Sequence, residues 1–351
     1  MTESTDAAAT DAAASADAAA RAETVARHHN LARLLERYGI ILVVVAMMAF
    51  LYAMQPEYFL TFQNLTNILR QIAMNAMLAI GMFLVILTAG IDLSVGSVLA
   101  LAMMTLAIAA EAGWPGVIVI LIGPLVGLAA GMVNGLGLTL LRLPHPFIMT
   151  LGTLNIARGL TNLISGGRPI SGLPDEVRFL GSAQFPIPGL GEFGAIPVSA
   201  FVILAVYAGV AYFLNKTSIG RHIYAVGGNP HAAAVSGISV DRILVLVYAM
   251  CGCFAGLAAL MLAGRTDSGF PNAGIGAELD AIAAVIIGGA SFFGGRGTVL
   301  GVFAGVLIMG LLRNGLNLMN VSVFWQQLLI GMIIILAVYI DVLRRRASVR
   351  N

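Results

Sequence analysis

Few side chains in this sequence could act chemically on a solute, and one of them is a carboxylate between two apolar runs. The segment TAGIDLSVGSVLAL, residues 88–101, contains Asp92. An ionised carboxylate inside a hydrocarbon layer is costly and usually functional. Alternatively, Asp92 or Ser94 can accept hydrogen bonds from the free amides at the start of the next helix. The sequence therefore favours one of two roles for this segment, a helix cap and hinge or a part of a transport pathway.

A second polar group is expected on one face of a helix. Asn155, Arg158 and Asn162 are three and four residues apart, which places them on the same side. Such a stripe should face a cavity or the interior of a helix bundle rather than lipid. Hydrogen bonding between helices is the alternative, because it is common in membrane proteins.

Four further asparagines interrupt apolar runs. Asn314 and Asn317 share one helical face, and Asn75 and Asn134 are isolated amides. Each could line a pathway or form an interhelical hydrogen bond. Because these polar groups are mostly neutral amides and hydroxyls, a pathway lined by them would suit an uncharged, hydroxyl-rich solute better than an ion.

A polar island separates two apolar runs at residues 215–242 and reads NKTSIGRHIYAVGGNPHAAAVSGISVDR. Asn229 can cap a helix, Pro230 fits its first turn, and Gly237 can end it after about two turns. The basic residues of the island predict that it faces the cytoplasm. It is either a docking surface for a partner or an ordinary basic loop.

No catalytic or cofactor-binding set is recognisable in the sequence. Lys216 is the only lysine and follows Asn215, whereas a P-loop requires Gly-Lys. The histidines form no HExxH motif. Cys251 and Cys253, the only cysteines, are too few for a disulfide framework or a four-ligand cysteine zinc site. We therefore predict a protein that is not an enzyme and holds no cofactor; if ATP drives it, another chain binds the ATP.

The elements that carry these residues are predicted to be transmembrane helices. Of the 351 residues, 59% are hydrophobic and only 10% are charged, whereas a soluble domain carries roughly 25% charge. Apolar stretches of about 20 residues recur, and each can cross a bilayer. We predict an all-α polytopic membrane protein, with no nucleic-acid partner because no basic, aromatic-rich surface is present. The ten predicted spans are residues 38–54, 70–89, 94–112, 116–141, 146–165, 196–214, 243–264, 277–290, 298–313 and 324–343.

Basic residues beside the spans set the predicted orientation. Arg33 and Arg37 precede the first span and three arginines, residues 344–346, follow the last, which places both termini in the cytoplasm. The loop at residues 166–197 is then extracytoplasmic. It is an irregular lid, a surface that accepts an external partner or a passive connector. The chain divides into a disordered cytoplasmic tail, a membrane domain and a short C-terminal tail, at residues 1–36, 37–346 and 347–351.

A two-fold organisation is predicted around the sixth span. Spans two to five and spans seven to ten form two groups of four. The first group starts from outside and the second from inside, so the groups would have opposite topology. Inverted repeats of this kind are common in transporters, and the pathway lies at their interface.

Three separated motifs make the sequence resemble the permeases of ribose-type sugar ABC importers. The motifs are TAGIDLSVGSVLAL, TSIGRHIYAVGGNPHAAAVSGI and GGASFFGGRGTVLGVFAGVLIMGLLRNGLNLM, in the expected order. The resemblance covers nearly the whole chain after residue 36. It implies a permease in the inner membrane of a bacterium that moves ribose or a related pentose, hexose or polyol by alternating access.

The resemblance also implies partners. They are a cytoplasmic ABC ATPase that binds ATP and Mg, an extracytoplasmic sugar-binding protein and a second permease copy in a homodimer. The island helix that includes Asn229, Pro230, His231 and Gly237 would dock onto the ATPase. Arg221 and His222 would flank that contact. The alternative function is a stand-alone secondary transporter or channel for a small neutral solute, which would need no ATPase.

Overall fold

A computed structural model describes residues 39–188 and 194–349, with side chains through residue 343. The chain divides into two units after residue 46, and every contact given below lies within the second unit, Met47–Asn351. The predicted tail at residues 1–36 lies outside the described residues, as do the last two residues of the predicted C-terminal tail.

The described residues are mostly helical. The helices are α1 (Gly39–Met54), α2 (Phe62–Leu87), α3 (Val95–Glu111), α4 (Gly116–Leu140), α5 (Pro146–Ser165), α6 (Asp175–Ser182), α7 (Val198–Lys216), α8 (Ser218–Gly228), α9 (Pro230–Val235), α10 (Val240–Thr266), α11 (Ala277–Ile287), α12 (Val299–Leu318) and α13 (Val323–Val349). The strands are β1 (Ile170–Ser171), β2 (Gln184–Pro186), β3 (Ala195–Pro197) and β4 (Ser268–Gly269). Strand β1 pairs antiparallel with β4, and β2 pairs antiparallel with β3.

Six helices of the described chain are long and apolar enough to cross a membrane, namely α2, α4, α7, α10, α12 and α13. The protein is therefore a multi-pass helical membrane protein, as predicted. Each of the ten predicted spans coincides with a helix, but α3 has 17 residues and α11 has only 11. Since a crossing helix needs about 20 residues, the count of ten crossings stays a prediction.

Helix α2 begins earlier than the sequence predicted, at Phe62 rather than residue 70. Thr61 caps it, because its Oγ1 accepts a hydrogen bond from the Asn64 N–H at 3.2 Å. The first two turns contain polar residues that lower the local hydropathy. A search of the sequence for long apolar runs therefore does not include these turns in the helix. Asn67 of these turns lines the cavity described below.

The centre of the second unit is built on α2 and α10, which pack against each other and against most of the remaining helices. Helix α10 also lies against α4 at very short range. A Cβ at Gly127 would overlap the Gly252 carbonyl, and a Cβ at Gly252 would overlap the Gly127 carbonyl. Small residues at such crossings let membrane helices pack backbone to backbone, which fixes α4 on α10.

Two non-helical segments interrupt the helices near this centre. Residues 88–94 join α2 to α3, and residues 267–276 join α10 to α11. The first turn of α3, which follows residues 88–94 directly, approaches the second segment where Gly96 meets Gly274. A Cβ at Gly96 would overlap the Gly274 carbonyl oxygen, and a Cβ at Gly274 would lie 2.5 Å from the Gly96 oxygen. No side chain larger than hydrogen fits this contact without movement.

The two predicted loops contain more structure than the sequence suggested. Residues 166–197 include helix α6 and three short strands, and α6 packs on α10 where Gly181 meets Gly264. The polar island at residues 215–242 holds two short helices, α8 and α9. The predicted helix is confirmed as α9, since Asn229 Oδ1 accepts the Ala232 N–H at 3.0 Å. The sequence missed α8.

Candidate functional site

A cavity of about 960 Å³ lies between α2, the end of α10, α11, α12 and α13, and is the main candidate site. Much of its lining is polar. These polar lining residues are Asn67, Arg70, Gln71, Asn75, Arg265, Asn272, Asp280, Arg313, Asn317, Gln326 and Gln327. Clefts with a few convergent polar groups are the usual form of small-molecule sites.

Helical periodicity places the polar residues of α2 and α12 at the cavity. Asn67, Arg70 and Gln71 recur at three- and four-residue spacing on α2, and Arg313 and Asn317 lie one turn apart on α12. The cavity uses the first half of α2, whereas α8 contacts the last residue of α2. The cavity and the polar island therefore lie toward opposite ends of α2.

One wall of the cavity is the non-helical segment at residues 270–276. Arg158 of α5 fixes this wall, because its Nη1 donates hydrogen bonds to the Pro271 carbonyl at 2.6 Å and the Ala273 carbonyl at 2.9 Å. Arg158 was predicted to line a pathway. It reaches the outside of the wall and positions it.

Hydrogen bonds inside the cavity leave three polar atoms without a partner. Arg313 Nη2 donates to Asp280 Oδ2 at 2.5 Å, and Gln326 Nε2 donates to Asn317 Oδ1 at 2.8 Å. Among the described residues, the buried atoms without a hydrogen-bonding partner that belong to cavity residues are Arg70 Nε, Asn75 Oδ1 and Arg313 Nε. A buried polar group without a partner is unfavourable, so these atoms suit a ligand that offers hydroxyl groups.

The structure collects only two of the predicted pathway residues in this cavity, Asn75 and Asn317. Asn314 is buried beside it but bonded to Asn64, with Nδ2 to Oδ1 distances of 2.8 and 3.0 Å. Asn155 and Asn162 are exposed on α5 and donate to the backbone carbonyls of their own helix. The sequence predicted that this stripe faces a cavity or the bundle interior, and of the three residues Arg158 is the one that reaches inward.

Asp92 and Ser94 form a separate buried cluster with Asn134 of α4. Asp92 Oδ1 accepts hydrogen bonds from the Ser94 N–H at 2.9 Å and the Ser94 hydroxyl at 2.6 Å. Asn134 Nδ2 donates to Ser94 Oγ at 2.8 Å. Tyr248 of α10 donates to the Ile91 carbonyl at 3.4 Å. This geometry ties the start of α3 to α4 and α10. Ser94, the residue before α3, makes no side-chain capping hydrogen bond to the helix, and the hinge and pathway roles stay predictions.

The sequence missed the charged residues of the cavity, Arg70, Arg265, Asp280 and Arg313. Of these four residues, Asp280 could have been predicted from the sequence. It lies within an apolar run, and an ionisable side chain in such a run indicates function. The arginines stand near the predicted ends of spans, where basic residues are ordinary. The cavity is thus more charged than the neutral pathway predicted from the amides.

The polar island has an inner and an outer face. A Cβ at Gly227 would overlap the Leu87 carbonyl oxygen, to which the Gly295 N–H donates at 2.9 Å. Tyr224 donates its hydroxyl to the Gly297 carbonyl at 3.0 Å, and burial raises the pKa of Tyr224, which keeps this donor protonated. The inner face of α8 therefore rests on the end of α2 and on residues 294–297.

The residues predicted to dock onto a partner lie on the outer face. His222 is half-buried, and the rest of the set is exposed. The exposed residues are Arg221, Asn229, Pro230, His231 and Gly237. Gly237 follows α9 with φ +85°, in the left-handed region that ends helices. The predicted start of the docking helix at the Asn229 cap and its predicted end before Gly237 are therefore confirmed. The partner that docks on it stays a prediction.

No described group of three or more histidine, cysteine, aspartate or glutamate side chains could hold a metal ion. The features that remain define a class: a multi-pass helical membrane protein with a polar cavity between its helices and a structured polar island at the other end of α2.

The comparison with known families agrees with this class. The family described as "Branched-chain amino acid transport system / permease component" matches residues 64–338, and the chain belongs to that family. Its members are permeases, which confirms the prediction that this chain is a transport protein rather than an enzyme.

Several characterised permeases are similar over most of their length. The ribose import permease protein of Bacillus subtilis is 43% identical over 79% of this chain and 84% of its own. The D-allose transport system permease protein of Escherichia coli is 40% identical over 89% of this chain and 93% of its own. The galactose/methyl galactoside import permease protein of Escherichia coli is 38% identical over 88% and 95%. No solved structure matches the chain.

Proposed function

We propose that this chain is the permease subunit of an ABC importer that moves a sugar or polyol across the inner membrane of a bacterium. The observation that carries the proposal is the polar cavity, with its unpartnered hydrogen-bonding atoms, in a chain 38–43% identical to sugar permeases. Ribose, a related pentose or hexose, and polyols fit such a lining. Transport follows alternating access.

Three partners complete the transporter. A cytoplasmic ABC ATPase binds ATP and Mg, which matches the absence of a Gly-Lys P-loop from this sequence. An extracytoplasmic sugar-binding protein delivers the solute, and a second copy of the permease forms a homodimer in the bilayer. Both termini and the polar island are cytoplasmic, so the cavity lies toward the external side.

The ATPase acts on the permease through α8 and α9. It docks on the outer face of the island, at Arg221 and the Asn229 cap. The inner face of α8 transmits the movement, because Gly227 is in backbone contact with Leu87. Leu87 is followed directly by residues 88–94, the non-helical segment that leads to α3. Movement of the island is thereby passed to the contact between Gly96 and Gly274.

Packing supports an arrangement of α2–α5 and α10–α13 as inverted repeats. Helices α2 and α10 pack on each other; α2 also contacts α11 and α12, and α10 contacts the corresponding α3 and α4. The two non-helical segments share a short sequence. Ala89-Gly90-Ile91 precedes α3, and Ala273-Gly274-Ile275 precedes α11. Repeats that meet in this way place a solute pathway at their interface.

The test is uptake into vesicles that contain the purified permease. With ATPase and binding protein present, labelled sugar should accumulate only when ATP is available on the cytoplasmic side. The same vesicles without the ATPase should accumulate none. Full uptake by the permease alone would instead identify a stand-alone transporter or channel.

A further inference from the structure

The cavity lining carries more positive than negative charge. Arg70, Arg265 and Arg313 line it, and Asp280 is the one carboxylate among its described lining residues. Arg313 forms an ion pair with Asp280, with Nη2 and Oδ2 2.5 Å apart. Arg70 and Arg265 have no carboxylate partner in the described part of the chain. An excess of two positive charges is therefore left in the cavity.

Acidic residues near the cavity are engaged elsewhere. The Glu278 carboxylate lies against the start of α3, since its Oε2 is 2.5 Å from the position that a Cβ at Gly96 would take. Asp267 Oδ1 accepts a hydrogen bond from the Leu173 N–H at 2.9 Å. Neither residue lines the cavity, so neither compensates Arg70 and Arg265 there.

The two uncompensated arginines lie next to each other. Arg265 Nη1 is 3.4 Å from the Arg70 carbonyl oxygen, and the two side chains repel each other electrostatically. Arg70 Nη2 donates to Asn67 Oδ1 at 2.8 Å, which leaves its Nε buried without a partner. Arg70 is half-buried and Arg265 is exposed, so an anion that reaches both guanidinium groups from the cavity would relieve their repulsion and give Arg70 Nε an acceptor.

We propose that the solute bound in this cavity is a sugar acid, a polyhydroxylated compound that carries a carboxylate. The carboxylate binds between Arg70 and Arg265, because planar guanidinium groups match a carboxylate in geometry and charge. The hydroxyls of the solute bind Asn75 Oδ1 and Arg313 Nε. This inference rests on the proposed function of a sugar importer and assigns its substrate to the acidic derivatives of such sugars.

Direct binding to the full-length permease in nanodiscs tests the proposal. The probes are D-galactose, D-galacturonate, D-galactonate and D-galactose 6-phosphate, measured by calorimetry at low and high salt. The variants are Arg70→Gln, Arg265→Gln and Arg70→Lys, which retains the charge. Arg178→Gln is the control, because Arg178 is an exposed arginine of α6 that pairs with Asp175 outside the cavity. The melting temperature of each nanodisc sample verifies folding.

The expected result is that an acid binds at least about tenfold more tightly than galactose, and that either glutamine variant loses about tenfold for the acid only. Arg70→Lys should retain most of the affinity, and Arg178→Gln all of it. Equal binding of galactose, preference for the phosphate, or no binding of any probe would overturn the proposal. A loss of affinity in the glutamine variants that appears only when the binding protein is present would also overturn the proposal. The arginines would then dock an acidic segment of that protein.

Uptake by the complete transporter separates this inference from the proposed function. ATP-dependent uptake of galactose or ribose, with no uptake of either acid, would overturn the sugar-acid assignment and leave the importer intact. Absence of ATP-dependent uptake for every probe would overturn the proposed function itself.

Discussion

Asn75 and Asn317 are the two predicted pathway residues that line the cavity, so their replacement distinguishes two routes for the solute. We expect Asn75→Leu and Asn317→Leu each to slow uptake about tenfold, because a lost hydrogen bond to a ligand costs on the order of 1–2 kcal/mol. Asn155→Leu and Asn162→Leu, on the exposed face of α5, are the matched controls. If these controls slow uptake and the cavity variants do not, the solute passes along α5 instead.

The ion pair between Asp280 and Arg313 predicts a strong coupling in stability. Asp280→Asn leaves Arg313 without its charged partner, and we expect the free energy of unfolding to fall by about 1–3 kcal/mol. This loss is smaller than for a fully buried ion pair, because the Arg313 side chain is 36% exposed. The double variant Asp280→Asn/Arg313→Gln should lose less than the two single variants together. Chemical unfolding in detergent measures all three. Additive losses would show that the pair contributes no coupling.

At the scale of elements, the contact of α8 with the end of α2 predicts a variant that separates ATP hydrolysis from transport. In Gly227→Ala the new Cβ would overlap the Leu87 carbonyl, so α8 must shift away from α2. We expect ATP hydrolysis by the assembled complex to persist while uptake falls strongly. Gly228→Ala is the control, because a Cβ there meets nothing within 4 Å. Normal uptake by a folded Gly227→Ala protein would contradict this coupling route.

The sequence located the elements better than the contacts between them. Long apolar runs predicted a helix at each of the ten positions, because the requirement for internal backbone hydrogen bonds leaves little choice in a bilayer. Asn229, Pro230 and Gly237 predicted α9 through local chemistry. Helix α8 was not predicted, because the contacts that bury its inner face are distant in the sequence. Ile223 is buried, and Gly227 packs on the end of α2 and on Gly295.

The cavity could be predicted only in part, because α2 is distant in the sequence from the other helices that line it, α10 to α13. Asn75 and Asn317 stood out as amides in apolar runs. Arg70 and Arg313 look like ordinary flanking residues until packing places both beside α11. Asn155 and Asn162 had the right spacing for a buried stripe, but periodicity gives a shared face and does not say what that face contacts.

At the scale of the whole molecule, alternating access requires the two four-helix groups to move against each other. The start of α3 in the first group meets the non-helical segment before α11 in the second group at Gly96 and Gly274, where two backbones leave no room for a side chain. We predict that Gly96→Ala holds these two elements apart, so that uptake falls strongly and binding of the ATPase changes little, while the melting temperature falls because the new Cβ overlaps the Gly274 backbone. Transport assays and a thermal melt of the same preparation measure the two effects.

Gly209→Ala is the control for this variant, since a Cβ at Gly209 of α7 meets nothing within 4 Å. Gly274→Ala should be the more damaging partner variant, because Gly274 has φ +67°, where an L side chain adds backbone strain to the same overlap. Graded loss in the order Gly209→Ala, Gly96→Ala, Gly274→Ala would therefore follow from the geometry. Wild-type uptake by a folded Gly96→Ala protein would show that the contact opens freely, and the movement between the repeats would then have to be sought at another interface of α2 and α10.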